Sequence, residues 1–161
     1  MAYLLDTNCF INAKNREYGF DFCPAYWDWI LREHVAGNVF SIERVRDELL
    51  VGNDDLSTWT ANLPGTFFQS PDADVLPSLT VLSSWASGGG FDPAAVTNFL
   101  NVADFFLVGQ ALAFGHTIVT HEVISASIKK IKIPNACVQF GVRYINPYQM
   151  LRNEQARFVL V

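Results

Sequence analysis

Short apolar runs alternate with longer segments of helical periodicity along most of the chain. Residues 2–5 are apolar and end at the polar residues Asp6-Thr7-Asn8, which predicts a short buried strand followed by a helix. A second short strand is predicted over residues 38–40. Ser41 is predicted to cap the helix that follows over residues 42–50.

The remainder of the chain continues this alternation. Further helices are predicted after Asp54, over 72–85, from Pro93, over 101–115, over 135–140 and from Pro147, and further strands over 117–120 and 144–145. The glycines at 88–90 predict a flexible loop within the domain. Together these elements predict an α/β fold: a three-layer α/β/α arrangement with a central, mainly parallel sheet, in a single domain over residues 1–161.

Composition adds a constraint on partners. The formal net charge of −5 argues against non-specific nucleic-acid binding through a basic surface, because Lys and Arg supply most phosphate affinity. Carboxylates gathered in one place would instead bind a hard cation, and that cation could hold phosphate. The three cysteines at 9, 23 and 137 form no metal-binding motif and are predicted to be buried thiols. No signal peptide or membrane span is visible, so a cytoplasmic location is expected.

Four acidic residues are candidates for such a cation site. Ligands of open parallel sheets bind beyond the carboxyl ends of the strands, and this rule selects Asp6 and Glu122. Glu48 and Asp104 lie on predicted helices whose N-termini can face the same edge. Each acid alone has an ordinary explanation, as a helix cap, a partner of a helix dipole or part of a solvated face. Asp104 fits that explanation least well, because its neighbours in sequence are almost all apolar.

The order of these motifs resembles the PIN domain. The motifs are Leu4-Leu5-Asp6-Thr7-Asn8, Ser41 followed by Val45 and Glu48-Leu49, Ala103-Asp104 opening an apolar helix, and Val119-Thr120-His121-Glu122. The resemblance spans nearly the whole chain. Three further segments resemble a bacterial branch of the PIN-like superfamily: Lys14-Asn15, residues 22–29 and Lys132-Ile133-Pro134.

The resemblance implies a metal site that holds Mg²⁺ or Mn²⁺. Asp6 and Asp104 would be direct ligands, Glu48 a ligand or a base that orients water, and Glu122 an outer ligand or a ligand of a second ion. Asn8 and Thr120 would be supporting polar partners. Many PIN domains have Asp where this chain has Glu122. The sequence does not decide whether the site binds one ion or two. Hard cations of this kind take oxygen ligands and lower the pKa of a bound water.

The function that the resemblance implies is that of a Mg²⁺-dependent endoribonuclease, acting as the toxin of a toxin-antitoxin pair. Its partners would be RNA, a small antitoxin covering the acidic pocket and a second copy of the chain in a homodimer. Two alternatives remain: a non-catalytic RNA-binding or scaffolding domain, and a structure-specific DNA nuclease.

Basic and aromatic side chains are candidates for RNA contacts. The basic candidates are Lys129, Lys130, Lys132 and Lys14, although a solvated face explains each lysine individually. Tyr26, Trp27 and Trp29 could stack on bases, but core packing is the favoured interpretation of both tryptophans. His121 is placed outside the catalytic set.

Overall fold

A computed structural model describes residues 1–160 and arranges five strands in one parallel sheet. The strands are β1 (Tyr3–Leu5), β2 (Val39–Ile42), β3 (Phe68–Gln69), β4 (Thr117–Val119) and β5 (Tyr144–Ile145), in the order β3-β2-β1-β4-β5. Every pairing between neighbouring strands is parallel. The sheet is the middle of a three-layer α/β/α fold, which confirms the predicted fold class.

Helices connect these strands and cover the sheet. They are α1 (Thr7–Asn15), α2 (Pro24–Val35), α3 (Glu43–Leu50), α4 (Asp55–Ala61), α5 (Leu76–Gly88), α6 (Pro93–Asn101), α7 (Ala103–Phe114), α8 (Ile133–Phe140) and α9 (Pro147–Asn153). Gly115 ends α7 in the left-handed conformation, with a φ of 70°, which glycine adopts without steric cost. The glycines at 88–90 do mark a break, although α5 continues through the first of them.

The central strands are buried, which accounts for their uninterrupted apolar sequences. Leu4, Leu5, Ile118 and Val119 are fully shielded from solvent and belong to one hydrophobic cluster. Strands covered by helices on both faces have no solvent-facing positions, so they show apolar runs rather than alternation. Since β1 lies between β2 and β4, the carboxyl end of β1 is flanked by the carboxyl ends of both neighbours.

Ser41 has a different role from the predicted one. It lies within β2, and α3 begins after Ile42 without a side-chain cap. The Ser41 side chain is fully buried, and its hydroxyl donates a 2.7 Å hydrogen bond to the carbonyl oxygen of Leu5. Ser41 therefore ties the end of β1, next to Asp6, to the neighbouring strand.

Two elements are absent from the sequence-based prediction. The first is α2, whose side chains Tyr26, Trp27 and Trp29 are each at least 96% buried, so the favoured packing interpretation of the tryptophans is confirmed. The second is β3, which has only two residues. The cysteines also differ in part: Cys9 and Cys137 are buried free thiols, whereas Cys23 is half-buried.

Within residues 1–160 no single helix has the length and apolar character to cross a bilayer. Among the helices of this described part, only α6 and α7 taken together have that length and composition, and they are bent by 67° relative to each other.

Replacing Ser41 by Ala should lower the free energy of unfolding by about 1–2 kcal/mol, because the Leu5 carbonyl loses its donor in a site that water does not reach. The matched control is Ser70→Ala, which removes an exposed hydroxyl bonded to Glu43 and should cost less than about 0.5 kcal/mol. Urea unfolding of the three proteins measures both changes. Equal costs for the two substitutions would contradict the role given to Ser41.

Candidate metal-binding site

A cleft of about 480 Å³ opens at the carboxyl edge of the sheet. Its polar lining comes from all four predicted acids together with Thr7, Asn8, Asn98 and Lys130. Asp6 directly follows β1 and Glu122 lies shortly after β4, as the rule for parallel sheets predicts. Glu48 comes from α3 and Asp104 from the first turn of α7. The fold therefore brings together four carboxylates that are distant in sequence.

Asp6 is the most deeply placed of the four. It is 3% exposed, and the Thr120 hydroxyl donates a 2.9 Å hydrogen bond to its Oδ2. Burial raises the pKa of Asp6 to about 6, and the nearby charges of Glu122 and Glu48 push it in the same direction. The hydrogen bonds from Thr120 and from the backbone N–H of Thr7 oppose that rise. Asp6 is thus held in one orientation by donors, in surroundings that disfavour its charge.

Asp104 is half-buried in the first turn of α7. Burial raises the pKa of Asp104 to about 7, and the charges of Asp6, Glu122 and Glu48 add to the rise, while Lys130 opposes it. Among the main influences on its pKa, only the charge of Lys130 favours the ionised form. Its charge is therefore the least well compensated in the cleft.

Glu48 links two helices across the cleft. Its Oε2 accepts a 2.5 Å hydrogen bond from the hydroxyl of Thr7, in the first turn of α1. Its Oε1 accepts a longer bond of 3.4 Å from the backbone N–H of Ala103, the first residue of α7. That helix has no side-chain cap of its own, because its N-cap residue is Val102. Glu48 therefore substitutes for the cap, in a position that the helix dipole favours.

Glu122 is surrounded by donors. Its Oε1 accepts a 3.0 Å hydrogen bond from the backbone N–H of Ile133, the first residue of α8. Its Oε2 forms ion pairs with the ammonium groups of Lys132 at 3.2 Å and Lys130 at 3.4 Å. The backbone N–H of Glu122 also donates to the Thr120 hydroxyl at 3.1 Å. Thr120 therefore contacts both Asp6 and Glu122, and joins the two strand ends.

The other predicted residues divide between the cleft and its surroundings. Asn8 lines the cleft and is exposed, so its amide is free to reach a ligand. Lys130 lines it as well. Lys129 is exposed outside the cleft, and the ammonium of Lys14 is paired with Asp54 at 2.6 Å. Thr7 and Asn98 were not predicted as functional residues. Thr7 could have been suspected from its place beside Asp6, whereas nothing in the sequence distinguishes Asn98.

The donor set fits a hard cation that keeps much of its water. Among residues 1–160, no three carboxylate, His or Cys side chains are arranged to enclose one ion. Mg²⁺ commonly binds through one or two carboxylates and several waters, so this open arrangement suits it better than a closed cage would. The raised pKa values of Asp6 and Asp104 also favour a bound cation, because a cation would stabilise carboxylates that burial and neighbouring acids make unfavourable to charge.

Comparisons with known proteins agree with this fold. Residues 3–158 match the family described as "Domain of unknown function (DUF4411)". No curated protein sequence matches the chain. The fold is similar to that of one chain of VapBC2 from Rickettsia felis, with a TM-score of 0.55 and 15% sequence identity. In that crystal structure VapBC2 is bound to a DNA fragment from its promoter. The similarity covers 91% of this chain and 98% of that chain. At this level of identity it shows a shared fold.

The carboxylate cluster should make the metal-free protein less stable as the pH rises. A carboxyl whose pKa is higher in the folded chain than in the unfolded chain binds its proton more tightly when folded. The free energy of unfolding therefore falls as the pH rises from about 4, the usual Asp value, through the folded values of about 6 for Asp6 and about 7 for Asp104. In EDTA, the stability of the wild type relative to Asp104→Asn should fall by on the order of 1–4 kcal/mol between about pH 4.5 and 8.

Urea unfolding of both proteins across that pH range measures the difference. The matched control is Asp47→Asn, at an exposed residue of α3 outside the cleft. The stability difference between the wild type and this variant should not change with pH. A stability difference between the wild type and Asp104→Asn that is flat with pH would contradict the raised pKa of Asp104.

Proposed function

This chain belongs to the DUF4411 family, and we propose that it is a metal-dependent endoribonuclease that hydrolyses RNA phosphodiester bonds in the carboxylate cleft. The observation that carries this proposal is the convergence of Asp6, Glu48, Asp104 and Glu122 on one open cleft at the carboxyl edge of the sheet. A fold that only needed acids on its surface would disperse them, because like charges in contact cost free energy. Their convergence supports a role that requires concentrated negative charge.

The proposed cofactor is Mg²⁺, with Mn²⁺ as an alternative. Asp6 and Asp104 would hold it, because burial and neighbouring acids make their charges unfavourable without a cation, and Glu48 would orient a water of the ion on the side of α3. When bound, such a cation supplies a more acidic water and offsets the negative charge of the phosphate. The function of the carboxylates is thus to place that chemistry beside the substrate.

The surrounding side chains orient these acids. The hydroxyl of Thr120 donates to Oδ2 of Asp6, and the hydroxyl of Thr7 donates to Oε2 of Glu48. Each carboxylate oxygen has a second lone pair, so an oxygen that accepts a hydrogen bond can still face a cation. Because these carboxylates are already oriented, they need to rearrange less when a cation binds. Asn8, which is exposed at the edge of the cleft, is placed to contact the substrate.

The proposed biological role is that of a toxin held in check by a small antitoxin, with a homodimer as the working assembly. The fold shared with a chain of VapBC2 supports the antitoxin partner, and the homodimer stays a prediction. An antitoxin would need to present basic or hydrogen-bonding groups to the cleft, because the charge there is predominantly negative.

Purified wild-type protein should cut single-stranded RNA in Mg²⁺ and not in EDTA. Asp6→Asn and Asp104→Asn should each reduce the rate by about two orders of magnitude or more, a loss typical of removing an electrostatic contact that stabilises the transition state. Asp47→Asn removes a carboxylate from the same helix as Glu48 without touching the cleft, so it should cut at the wild-type rate. Undiminished cleavage by both cleft variants would show that the activity lies elsewhere or belongs to a contaminant.

Matched RNA and DNA strands of the same sequence separate the remaining alternatives. The proposal expects cleavage of RNA in preference to DNA. A clear preference for DNA would support a DNA nuclease, and binding of RNA without cleavage in any metal would support a non-catalytic RNA-binding domain.

A further inference from the structure

The Glu122 side chain differs from the other three acids in how completely its charge is compensated. It is 9% exposed, and each oxygen already has a partner: the N–H of Ile133 on Oε1, and the ammonium groups of Lys130 and Lys132 on Oε2. Two cations near one carboxylate leave little charge to attract a third. A metal ion at Glu122 would have to displace or approach these ammonium groups, which like-charge repulsion disfavours.

The segment that carries these lysines is fixed to the rest of the fold at several points. The backbone N–H of Asp92 donates to the carbonyl of Ile128 at 3.0 Å. Asn135 bonds to Ser125 through both its Oδ1 and its Nδ2. Ile131, between the two lysines, is 2% exposed and packs in the core. The backbone at Lys130 therefore has a defined position beside the cleft.

Lys130 differs from the neighbouring lysines in its surroundings. It lines the carboxylate cleft, where burial lowers its pKa but the charges of Glu122 and Asp104 together raise the pKa above its usual value. Its side chain is 51% exposed, compared with 31% for Lys132, and its contact with Glu122 is the longer of the two. The ion pair is half-exposed, so it restricts where the ammonium group lies without enclosing it. An ammonium group has three N–H donors, so Lys130 can keep its contact with Glu122 and still donate to a second anion.

We propose that Glu122 is a positioning residue that holds Lys130 at the mouth of the carboxylate cleft, and that Lys130 there contacts a phosphate of the RNA substrate. This inference rests on the proposed ribonuclease function. It gives Glu122 a different role from Asp6 and Asp104: it binds the basic segment, and they bind the cation. A phosphate entering the cleft meets an ammonium group already in place, which partly offsets the repulsion from the carboxylates.

Metal binding tests the role of Glu122 directly. Glu122→Gln keeps an oxygen that can accept from the N–H of Ile133 and removes the charge that holds the lysines. Titration with Mn²⁺, followed by electron paramagnetic resonance, should give an affinity within about threefold of the wild type, whereas Asp104→Asn should weaken it at least tenfold. A loss in Glu122→Gln as large as that in Asp104→Asn would make Glu122 a metal ligand and overturn the proposal. Circular dichroism melts check that both variants fold.

RNA binding tests the role of Lys130. Affinity for a single-stranded oligonucleotide is measured in EDTA, where no cleavage occurs, over a range of salt concentrations. Lys130→Gln should reduce the slope of log affinity against log salt by about 0.7, the value for one phosphate contact on a single strand. Lys129→Gln, which removes an exposed lysine outside the cleft, should leave the slope unchanged. In the Glu122→Gln background, Lys130→Gln should change the slope by less than it does in the wild type, because Lys130 is then no longer held at the cleft.

Equal slopes for Lys130→Gln and Lys129→Gln, or a wild-type chain that binds no RNA, would overturn the inference. The proposed function can fail separately. A wild-type chain that binds Mn²⁺ and RNA but cuts neither RNA nor DNA would disprove the nuclease, and the two binding measurements would still decide the roles of Glu122 and Lys130.

Discussion

Four carboxylates meet at one edge of the sheet, and their mutual repulsion is the constraint to which the surrounding structure responds. Three helices begin beside them. Asp6 precedes α1 and Asp104 lies in the first turn of α7, while the first N–H of α7 and of α8 donates to Glu48 and to Glu122. Each favourable placement of an acid at a helix N-terminus is worth about 0.3–1 kcal/mol, which offsets part of the repulsion. Burial, with the remaining repulsion added to it, raises the pKa values of Asp6 and Asp104, and this supports the proposal of a bound cation.

Much of the fold follows from local patterns, and the differences have local causes. The apolar runs of β1 and β4 are long enough to indicate buried parallel strands. The helix α2 is missing from the sequence-based prediction because Cys23, which precedes it, is not a typical capping residue, although Pro24 at its first position is a typical start signal. The two residues of β3 are too few to show any periodicity. Ser41 has the chemistry of a helix cap, and only the position of β1 beside it shows that its hydroxyl bonds to Leu5 instead.

The site could be predicted as a set of residues but not as a set of contacts. The rule for strand ends selects Asp6 and Glu122, and the order of motifs adds Glu48 and Asp104. The hydrogen bond between Thr7 and Glu48 joins residues 41 positions apart, and the bond between Thr120 and Asp6 joins residues 114 apart. Spacing in sequence contains no information about such contacts, because they depend on how the sheet is ordered. For the same reason, the different surroundings of Glu122 and Asp104 appear only in the structure.

The net charge of −5 does not by itself prevent RNA binding, because electrostatic interactions in solution are local. At physiological ionic strength, exposed charges separated by more than about 8 Å are largely screened. A phosphate in the cleft is therefore governed by the groups that line it, and distant acids on the surface contribute little. Among those groups in residues 1–160, Lys130 is the only cationic side chain. The cleft therefore combines a predominantly negative side, which suits a cation, with a single positive group at its mouth. This arrangement suits an anionic ligand that binds together with a metal ion.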